Sequence, residues 1–577
     1  MPMRLLAGVL CIIAGLSGAA QAQFVERYPP PAAPSKAPAL RGLPELLTSA
    51  DPTPLGADLR AIVLLGARDP VATRARARGV DVSRADPAFA AAMHEQLLAF
   101  IGQPLSQKLI GDVQLAIARV YRGAWRPFVS VTVPPQEVTG GVLQVRVFEF
   151  RLGHVTVNGA NPAVASDVRA GFRLRPGDVI DARVLETDIE WLNRNPLLRV
   201  EAVFGPGKEL AVTDLTLQVT DGRPVQVFAG YSNTGTLLTD RDRFFVGGIA
   251  NLGVGGSASY QATGSKDFWA KHGEPFDDAA RAGYMSQAAR LVLPVGVRSS
   301  FEVLGDFIRT NERPVAFLRN RTDTSELSLL YRTALGNFAP LWIGNWIIGA
   351  ELKHQKLDSF IVEVDTFTAS ADVFQIVSGW AGQWTDAFGF NLLDVRLKTN
   401  PGGVLSQNTG TDWAAVTGGR VKDSRATFAT IAYSRVTPLW AGTSLTSEFL
   451  ALVADKPLPN TELVALGGAQ TVRGYAIEDG AFDRTFVLRN SLYLPNQTIT
   501  FDKTLAMAIA PFLFSDVGTG RDFFTGQTAT LASVGAGLDE TIGAFFRANL
   551  TVAYALRNGP FTDAGSWRLH ARAVFSY

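Results

Sequence analysis

An arginine in a glycine-rich segment is the residue of this chain that most needs a chemical explanation. The segment is "GGAQTVRGYAIEDG" at residues 467–480, where Arg473 lies between Val472 and Gly474 and is followed by Tyr475. Strand-like alternation flanks it on both sides. A guanidinium is a permanent cation with five N–H donors, so it needs an acidic partner wherever water is scarce. The partner therefore depends on the solvent that the surrounding sheet faces.

A candidate partner lies in "LFSDVGTG" at residues 513–520. Phe514, Asp516 and Gly518 fall on one face of a strand, because side chains alternate with a period of two. The apolar residues of the opposite set are Leu505, Met507, Ile509 and Leu513. If that set faces lipid, Asp516 faces a lumen, and a charge-assisted pair with Arg473 would satisfy both groups. The alternative is a solvated Arg473 in an external loop with Asp516 near a rim, and the residues alone leave both open.

No other pattern indicates catalysis or metal binding, since the chain has no H-E-x-x-H and no G-x-S-x-G motif. Gly253, Gly255 and Ala258 match G-x-G-x-x-A, but a strand-like segment follows where a dinucleotide site needs a helix, which favours a hairpin turn. The acidic pairs Asp277-Asp278 and Glu478-Asp479 are interpreted as solvated loop charges. The five histidines are scattered, at His94, His154, His272, His354 and His570. We expect no enzyme, no metal and no cofactor.

The composition indicates an exported chain. Charged residues make up 19% of the 577 residues, against about 25% in typical soluble domains. Residues 1–22 combine Arg4, an apolar run and an Ala-Gln-Ala ending, which predicts a signal peptide cleaved after Ala22. Cleavage removes Arg4 and the only cysteine, Cys11, and leaves 53 basic and 53 acidic residues. A net charge of zero argues against a nucleic-acid partner.

The segment after the signal peptide predicts a linker and then two similar α+β units. Residues 23–57 are rich in proline and predict an extended linker. The units at 58–150 and 151–222 each show the order strand, helix, helix, strand, strand. Apolar residues at helical spacing mark one helix in each unit. They are Ile110, Val113, Ile117, Val120 and Tyr121 in the first unit, and Leu185, Ile189 and Leu192 in the second.

Residues 223–577 show short alternating runs separated by turns, which predict strands alone. In the last run one face carries Trp567, Leu569, Ala571, Ala573, Phe575 and Tyr577, and the other carries Arg568, His570 and Arg572. This alternation in an exported chain favours a transmembrane barrel with lipid outside and a polar lumen. About 355 residues, at about 20–24 per strand and turn, give about 16 strands. The predicted fold is thus an all-β transmembrane barrel of about 16 antiparallel strands, preceded by two α+β units.

This layout resembles the outer-membrane transporters of two-partner secretion, the haemolysin secretion/activation family within the POTRA-barrel superfamily. The resemblance covers residues 58–577 and rests on V-R-G-Y at 472–475, F-x-D-x-G at 514–518, and an aromatic end to the last strand. It identifies the two α+β units as polypeptide-transport-associated (POTRA) domains in the periplasm. It also implies that the loop between strands 11 and 12 folds into the barrel, with Arg473 as a latch on Asp516.

The resemblance further implies a function and its partners. The POTRA domains would capture an unfolded secreted exoprotein, and the barrel would pass it across the outer membrane to the cell surface or the medium. Outer-membrane lipid would surround a monomeric barrel, and a barrel-assembly machinery would insert it, reading Phe575 and Tyr577 as the insertion signal. An insertase of the same superfamily is the alternative, but it would normally carry more than two POTRA domains. A passive porin would need no periplasmic domains.

Two departures from the family pattern stand out. The proline-rich residues 23–57 leave little room for the N-terminal plug helix of some members. Many relatives also carry a glutamate after R-N in the twelfth strand, where this chain has Ser491. We therefore expect any role of that acid to be absent or moved.

Overall fold

The computed structural model describes residues 48–73, 77–221, 224–271, 282–339, 342–386, 388–501 and 505–577. The predicted signal peptide, most of the predicted linker, His272 and Asp277-Asp278 lie outside the described residues. The chain divides near residue 222 into two compact units. Within the described ranges, no helix has the length and apolar character needed to cross a bilayer.

The N-terminal unit begins with a four-stranded sheet in the order β3-β2-β6-β5, beside a short pair of β1 and β4. Their bounds, with those of two helices, are β1 Pro54–Asp58, β2 Ala61–Leu65, β3 Gly79–Asp81, α1 Ala90–Leu98, β4 Pro104–Ser106, α2 Gln107–Gly123, β5 Val129–Thr132 and β6 Val142–Glu149. Strand β2 runs parallel to β3 and β6, whereas β5 and β6 are antiparallel. Strands β1, β3 and β4 are additions to the predicted order, and β1 begins within the predicted linker.

Helix α2 shows why this region folds as it does. The Ser106 hydroxyl accepts a hydrogen bond from the Leu109 backbone N–H at 3.1 Å, which caps the first turn. Val113, Ile117 and Tyr121 then follow at helical spacing and are buried. They join one apolar core with Leu59, Ile62, Met93, Leu97, Leu143 and Val145. Burial of this stripe against the sheet is the main source of stability for the region.

The second part of the N-terminal unit has the order strand, helix, helix, strand, strand. Its elements are β7 Arg151–Asn158, α3 Pro162–Gly171, α4 Ala182–Leu192, β8 Arg199–Pro206 and β9 Val212–Asp221. They form a three-stranded sheet in the order β7-β9-β8, with β7 parallel and β8 antiparallel to β9. Asn161 and Asp181 cap the two helices through their side-chain oxygens. The boundaries predicted for the POTRA domains, 58–150 and 151–222, remain predictions.

The C-terminal unit is a closed antiparallel barrel. Its strands are β10 Val225–Ser232, β11 Arg243–Asn251, β12 Ser257–Gly264, β13 Tyr284–Pro294, β14 Ser299–Val315, β15 Leu318–Ala334, β16 Asn345–Ile361, β17 Val364–Asp386, β18 Gly389–Asn400, β19 Ala426–Pro438, β20 Ser444–Ala454, β23 Arg484–Tyr493, β24 Gln497–Thr500, β25 Ala506–Arg521, β26 Thr528–Ile542, β27 Phe546–Ala555 and β28 Trp567–Ser576. Strands β23 and β24 both pair with β25 and form two parts of the twelfth strand. The predicted 16-strand barrel is therefore confirmed.

The short elements between the barrel strands lie in its connections. They are helices α5 Lys266–Lys271 and α6 Gly410–Val416, strands β21 Val464–Ala465 and β22 Ala481–Phe482, and the 3₁₀ turns Leu335–Asn337, Trp440–Gly442, Asn460–Glu462 and Ile477–Asp479. Gly253 and Gly255 lie in the turn between β11 and β12 with φ of 97° and 72°, so the hairpin interpretation of that motif is confirmed. Only glycine adopts such angles without strain.

The barrel closes where its first strand meets its last. Strand β10 pairs with β28 from Phe228 opposite Ser576 to Ser232 opposite Arg572. On β28, Trp567, Leu569 and Phe575 are exposed on the outer face, whereas His570 is buried on the inner one. The alternation seen in the sequence therefore matches the orientation of side chains in the barrel wall. Apolar side chains face outward and polar side chains face inward, as a barrel in lipid requires.

Candidate functional site

The connection between β20 and β23, residues 455–483, is folded against the inner face of the barrel, and we call it loop 6. Its two short strands, β21 and β22, pair with each other near its ends. Gly474 lies at the far end with φ of 96°, and a Cβ there would come within 3.3 Å of the Ala553 and Ser533 side chains. Glycine is thus needed both for the backbone angle and for the close approach to β26 and β27.

Arg473 and Asp516 form a bidentate pair at this end of loop 6. Arg473 Nε lies 2.7 Å from Asp516 Oδ2, and Nη2 lies 2.7 Å from Oδ1. The Arg473 backbone N–H also donates to Oδ2 at 3.0 Å. Only 6% of the arginine side chain and none of the aspartate side chain is exposed. The structure therefore brings together the two residues that the sequence singled out, and it does not place Arg473 in a solvated external loop.

The other residues of F-x-D-x-G shape the surface on which Arg473 rests. The Phe514 ring lies beneath the guanidinium, with Arg473 Cζ 3.7 Å from the ring centroid, a favourable cation–π geometry. Gly518 follows on the same inner face of β25. A Cβ at Gly518 would lie 2.7 Å from Val472 Cγ2 and 2.9 Å from Leu466 Cδ1. The glycine is therefore required because loop 6 packs directly on the strand.

Tyr475 completes the V-R-G-Y motif and fixes the loop to two further parts of the barrel. Its side chain is fully buried. The hydroxyl oxygen lies 2.8 Å from the carbonyl oxygens of Ala532 and Arg557, and it accepts from the Arg557 N–H at 3.1 Å. A buried hydroxyl with these partners holds its loop in register, because leaving any of them unpaired would cost free energy.

Comparison with known proteins finds a family model that matches the segment holding this site. Residues 349–539, which include Arg473 and Asp516, match the model of the haemolysin secretion/activation protein ShlB/FhaC/HecB. The match covers about a third of the chain and lies within the barrel.

Two curated relatives are similar to this chain over shorter stretches. The outer membrane transporter CdiB-2 of Burkholderia pseudomallei (strain 1026b) is 27% identical over 124 residues, which is 22% of this chain and 20% of the relative. The outer membrane transporter CdiB of Dickeya dadantii (strain 3937) is 32% identical over 83 residues, 14% of each chain. The matched segments thus span about a fifth or less of either relative.

Two solved structures share the fold over the whole length. CdiB from Escherichia coli superposes with a TM-score of 0.59 at 16% sequence identity, covering 100% of this chain and 97% of that one. CdiB from Acinetobacter baumannii gives a TM-score of 0.51 at 15% identity, with the same coverage. At these identities the likeness shows the fold: a 16-strand barrel preceded by α+β regions.

Ser491 lies at a position where this chain departs from the pattern that the family resemblance implied. Arg473 Nη2 donates a hydrogen bond to the Ser491 hydroxyl at 3.1 Å, and Ser491 is buried on β23. The position at which the family resemblance implied a glutamate thus contacts the arginine through a neutral acceptor. Asp516 carries the negative charge of this pair.

Apolar packing also holds loop 6 against the inner wall. Its buried side chains form two clusters with the inner wall. One contains Leu466, Val472, Tyr475 and Phe482 with Val487, Leu531 and Ala555. The other contains Leu458, Leu463 and Ala481 with Ala426, Phe428, Leu452 and Ala454. Such burial stabilises the docked loop by about 25 cal/mol per Å² of apolar area removed from water.

Asp479 corrects one sequence-based interpretation. It was expected to be a solvated loop charge, but it is fully buried. Its carboxylate accepts hydrogen bonds from the Ala476, Phe561 and Thr562 backbone N–H groups and from the Thr562 hydroxyl at 2.5 Å. The reason is that loop 6 turns inward, so an acid on it must find donors within the protein. No spacing in the sequence links Asp479 to a segment more than eighty residues away.

Two further charged contacts of loop 6 involve residues that lie in no sequence motif. Glu462 Oε1 lies 2.6 Å from Lys353 Nζ on β16, and both side chains are buried. Arg420, in the connection between β18 and β19, pairs with Asp483 at the end of loop 6. Charge alone could have indicated these contacts in the sequence. A lysine on an inward strand position and an arginine in a connection packed inside the barrel each require an acid nearby.

The remaining predicted site residues lie at the end of the chain. Phe575 and Tyr577 are exposed on the outer side, and the Tyr577 backbone exchanges hydrogen bonds with Val227 on β10. Across the described ranges, no group of three or more His, Cys, Asp or Glu residues could hold a metal ion. The role of Phe575 and Tyr577 as an insertion signal stays a prediction.

Proposed function

We propose that this chain exports an unfolded partner protein across the outer membrane through its barrel. The observation that supports this most strongly is the docked loop 6, with Arg473 paired to Asp516 inside a 16-strand barrel. The name of the matching family model, haemolysin secretion/activation protein, agrees with export of a protein, and the curated relatives are named outer membrane transporters.

The N-terminal unit supplies surfaces for the first step. Among the described residues, its two sheets end at the edge strands β3 and β5 and at β7 and β8, and β7 is bridged to Val179 only at Arg151. An extended polypeptide can add a strand to such an edge, with its backbone groups making the hydrogen bonds. We propose that the exoprotein is captured in the periplasm in this way and then passes outward as an extended chain. The barrel would act as a monomer in outer-membrane lipid after insertion by a barrel-assembly machinery.

A comparison of proteomes tests this proposal. The culture medium and the outer membrane would be compared between strains with and without the gene. We expect one large protein to disappear from the medium of the deletion strain while other outer-membrane barrels keep their abundance. If many barrels fall together instead, the chain is an insertase of the same superfamily, and the export proposal is wrong although the fold stands.

A further inference from the structure

The two ends of loop 6 meet in a buried ionic cluster that neither sequence motif includes. Arg420 Nη2 lies 2.6 Å from Asp483 Oδ2, and a second guanidinium nitrogen contacts Asp522 in the turn between β25 and β26. Arg420 is 7% exposed and Asp483 is fully buried. A buried pair of this kind is costly to break, because removing one partner leaves an uncompensated charge.

Asp483 and Arg420 also hold the opposite end of the loop. The Leu458 N–H donates to Asp483 Oδ1 at 2.6 Å, and the Leu458 carbonyl accepts from Arg420 Nε at 3.2 Å. The Phe523 N–H donates to Asp483 Oδ2 at 2.7 Å. Residues 458 and 483 are the entry and exit of the folded part of loop 6. The cluster therefore closes the loop at its neck and ties it to two neighbouring connections.

Loop 6 is anchored on distant parts of the wall. Glu462 binds Lys353 on β16, the seventh strand, at 2.6 Å, whereas Arg473 binds Asp516 on β25, the thirteenth. Gly474 N–H lies 3.5 Å from His570 Nε2 on β28, the sixteenth. In a closed barrel of 16 strands, the seventh and sixteenth strands lie on nearly opposite sides. The loop thus crosses the barrel interior, and its apolar side packs on β19, β20, β23, β26 and β27.

We propose that Arg420 and Asp483 clamp the neck of loop 6, so that the loop stays docked across the lumen as one body while a partner protein passes beside it. The statement that a partner protein passes beside the loop rests on the proposed export function. Undocking would expose two apolar clusters and separate three buried ion pairs at once. Passage beside the loop avoids that cost.

Thiol labelling tests the clamp without reference to export. Ala476 is 2% exposed in loop 6, and the only natural cysteine lies in the predicted signal peptide, so Ala476→Cys provides a buried reporter. Labelling of intact cells by a maleimide would be compared between this variant alone and its combinations with Arg420→Ala or Arg425→Ala. Arg425 is the matched control, because it lies five residues along the same connection and its side chain is 72% exposed.

We expect Arg420→Ala to raise the labelling rate by about tenfold or more, because the unpaired Asp483 destabilises the closed neck, and Arg425→Ala to leave it unchanged. Equal labelling with Arg420→Ala and without it would overturn the clamp. If Arg420→Ala does not reach the membrane, Asp483→Asn replaces it, because this variant keeps the shape while it removes the charge and one acceptor oxygen. The same increase is expected from it.

A reversible disulfide tests whether the exit of loop 6 stays on the wall during passage. A Cβ at Gly520 on β25 would lie 3.0 Å from Phe482 Cβ in loop 6, close to the separation of about 3.5–4.5 Å in a disulfide. With Phe482→Cys and Gly520→Cys, secretion of the protein found by proteome comparison should agree within about twofold between oxidised and reduced cells. Secretion that stops on oxidation and returns with reductant would overturn the proposal. If the wild type secretes nothing, the export function fails, whereas the labelling result still decides the clamp.

Discussion

Both units of the molecule hold opposite charges in contact, for example Arg173 with Asp188 in the N-terminal unit, but that unit also carries a carboxyl among like charges. In the barrel, loop 6 is held by opposite charges in contact, such as Arg473 with Asp516 and Arg420 with Asp483. In the N-terminal unit, helix α4 carries Glu186 near Asp181 and Glu190, and burial together with these like charges raises the pKa of Glu186 to about 7. The comparison indicates that contacts between opposite charges fix the arrangement of both units, whereas the N-terminal unit also has a carboxyl whose pKa is raised to about 7.

The largest effect in this comparison is expected from Arg473→Ala. The substitution leaves Asp516 buried without its counter-charge, which would cost about 3–5 kcal/mol of docking free energy. We expect the barrel to insert normally but to show a mean ion conductance about twofold higher or more in planar bilayers, because the end of loop 6 leaves the inner wall. Arg425→Ala is the control and should conduct as the wild type does. Unchanged conductance of Arg473→Ala would show that apolar packing alone holds the loop.

A smaller effect is expected from Asp479→Asn. The amide keeps one acceptor oxygen but cannot receive all four hydrogen bonds, and the loss would be about 1–3 kcal/mol. The connection between β27 and β28, which contains Phe561 and Thr562, should then become cleavable by protease added to intact cells. Asp563→Asn, a change at an exposed residue of the same connection, serves as the control. Equal resistance of the two variants would contradict the role assigned to Asp479.

The smallest expected effect is a change in how the stability of the N-terminal unit depends on pH. Because the pKa of Glu186 is raised in the folded state, its contribution to stability is fully present below about pH 4.5 and is lost as pH rises through about 7. Glu186→Gln should remove this dependence and stabilise the unit at pH 8 by about 1–2 kcal/mol, since solvent screens a half-buried group.

Helix-specific circular dichroism can follow this change in the full-length protein, because helices α1–α4 lie in the N-terminal unit. The wild type should melt at a lower temperature at pH 8 than at pH 5, and Glu186→Gln should reduce that difference. Identical pH dependence of the two proteins would show that the carboxyl is solvated and that the contrast between the two units is smaller than described.

The sequence predicted local features well where a strict period governs them. The two-residue alternation placed Asp516 on the inner face of β25 and the aromatic residues of β28 on the outer face. The helical spacing of Val113, Ile117 and Tyr121 marked α2. Strands β1, β3 and β4 were not predicted, because β1 begins in the proline-rich segment interpreted as a linker and the three residues of β3 and of β4 are too few to show a period.

The site was predictable only in part. Arg473 and Asp516 could be linked because each would be costly alone in a lumen, and because short motifs mark both. Arg420 and Asp483 are separated by 63 residues and lie in no motif, so their contact exists only through the fold. Asp479 was interpreted wrongly for the same reason, since its donors become available only when loop 6 turns inward.

The measurement that tests the central claim most directly is secretion by strains that carry the wild type, Arg473→Ala or Arg425→Ala in place of the native gene. The partner would be quantified in the medium and the barrel in the outer membrane of the same cultures. The docked-loop account predicts equal amounts of barrel in all three strains, normal secretion by Arg425→Ala, and strongly reduced secretion by Arg473→Ala. Normal secretion by Arg473→Ala would contradict it.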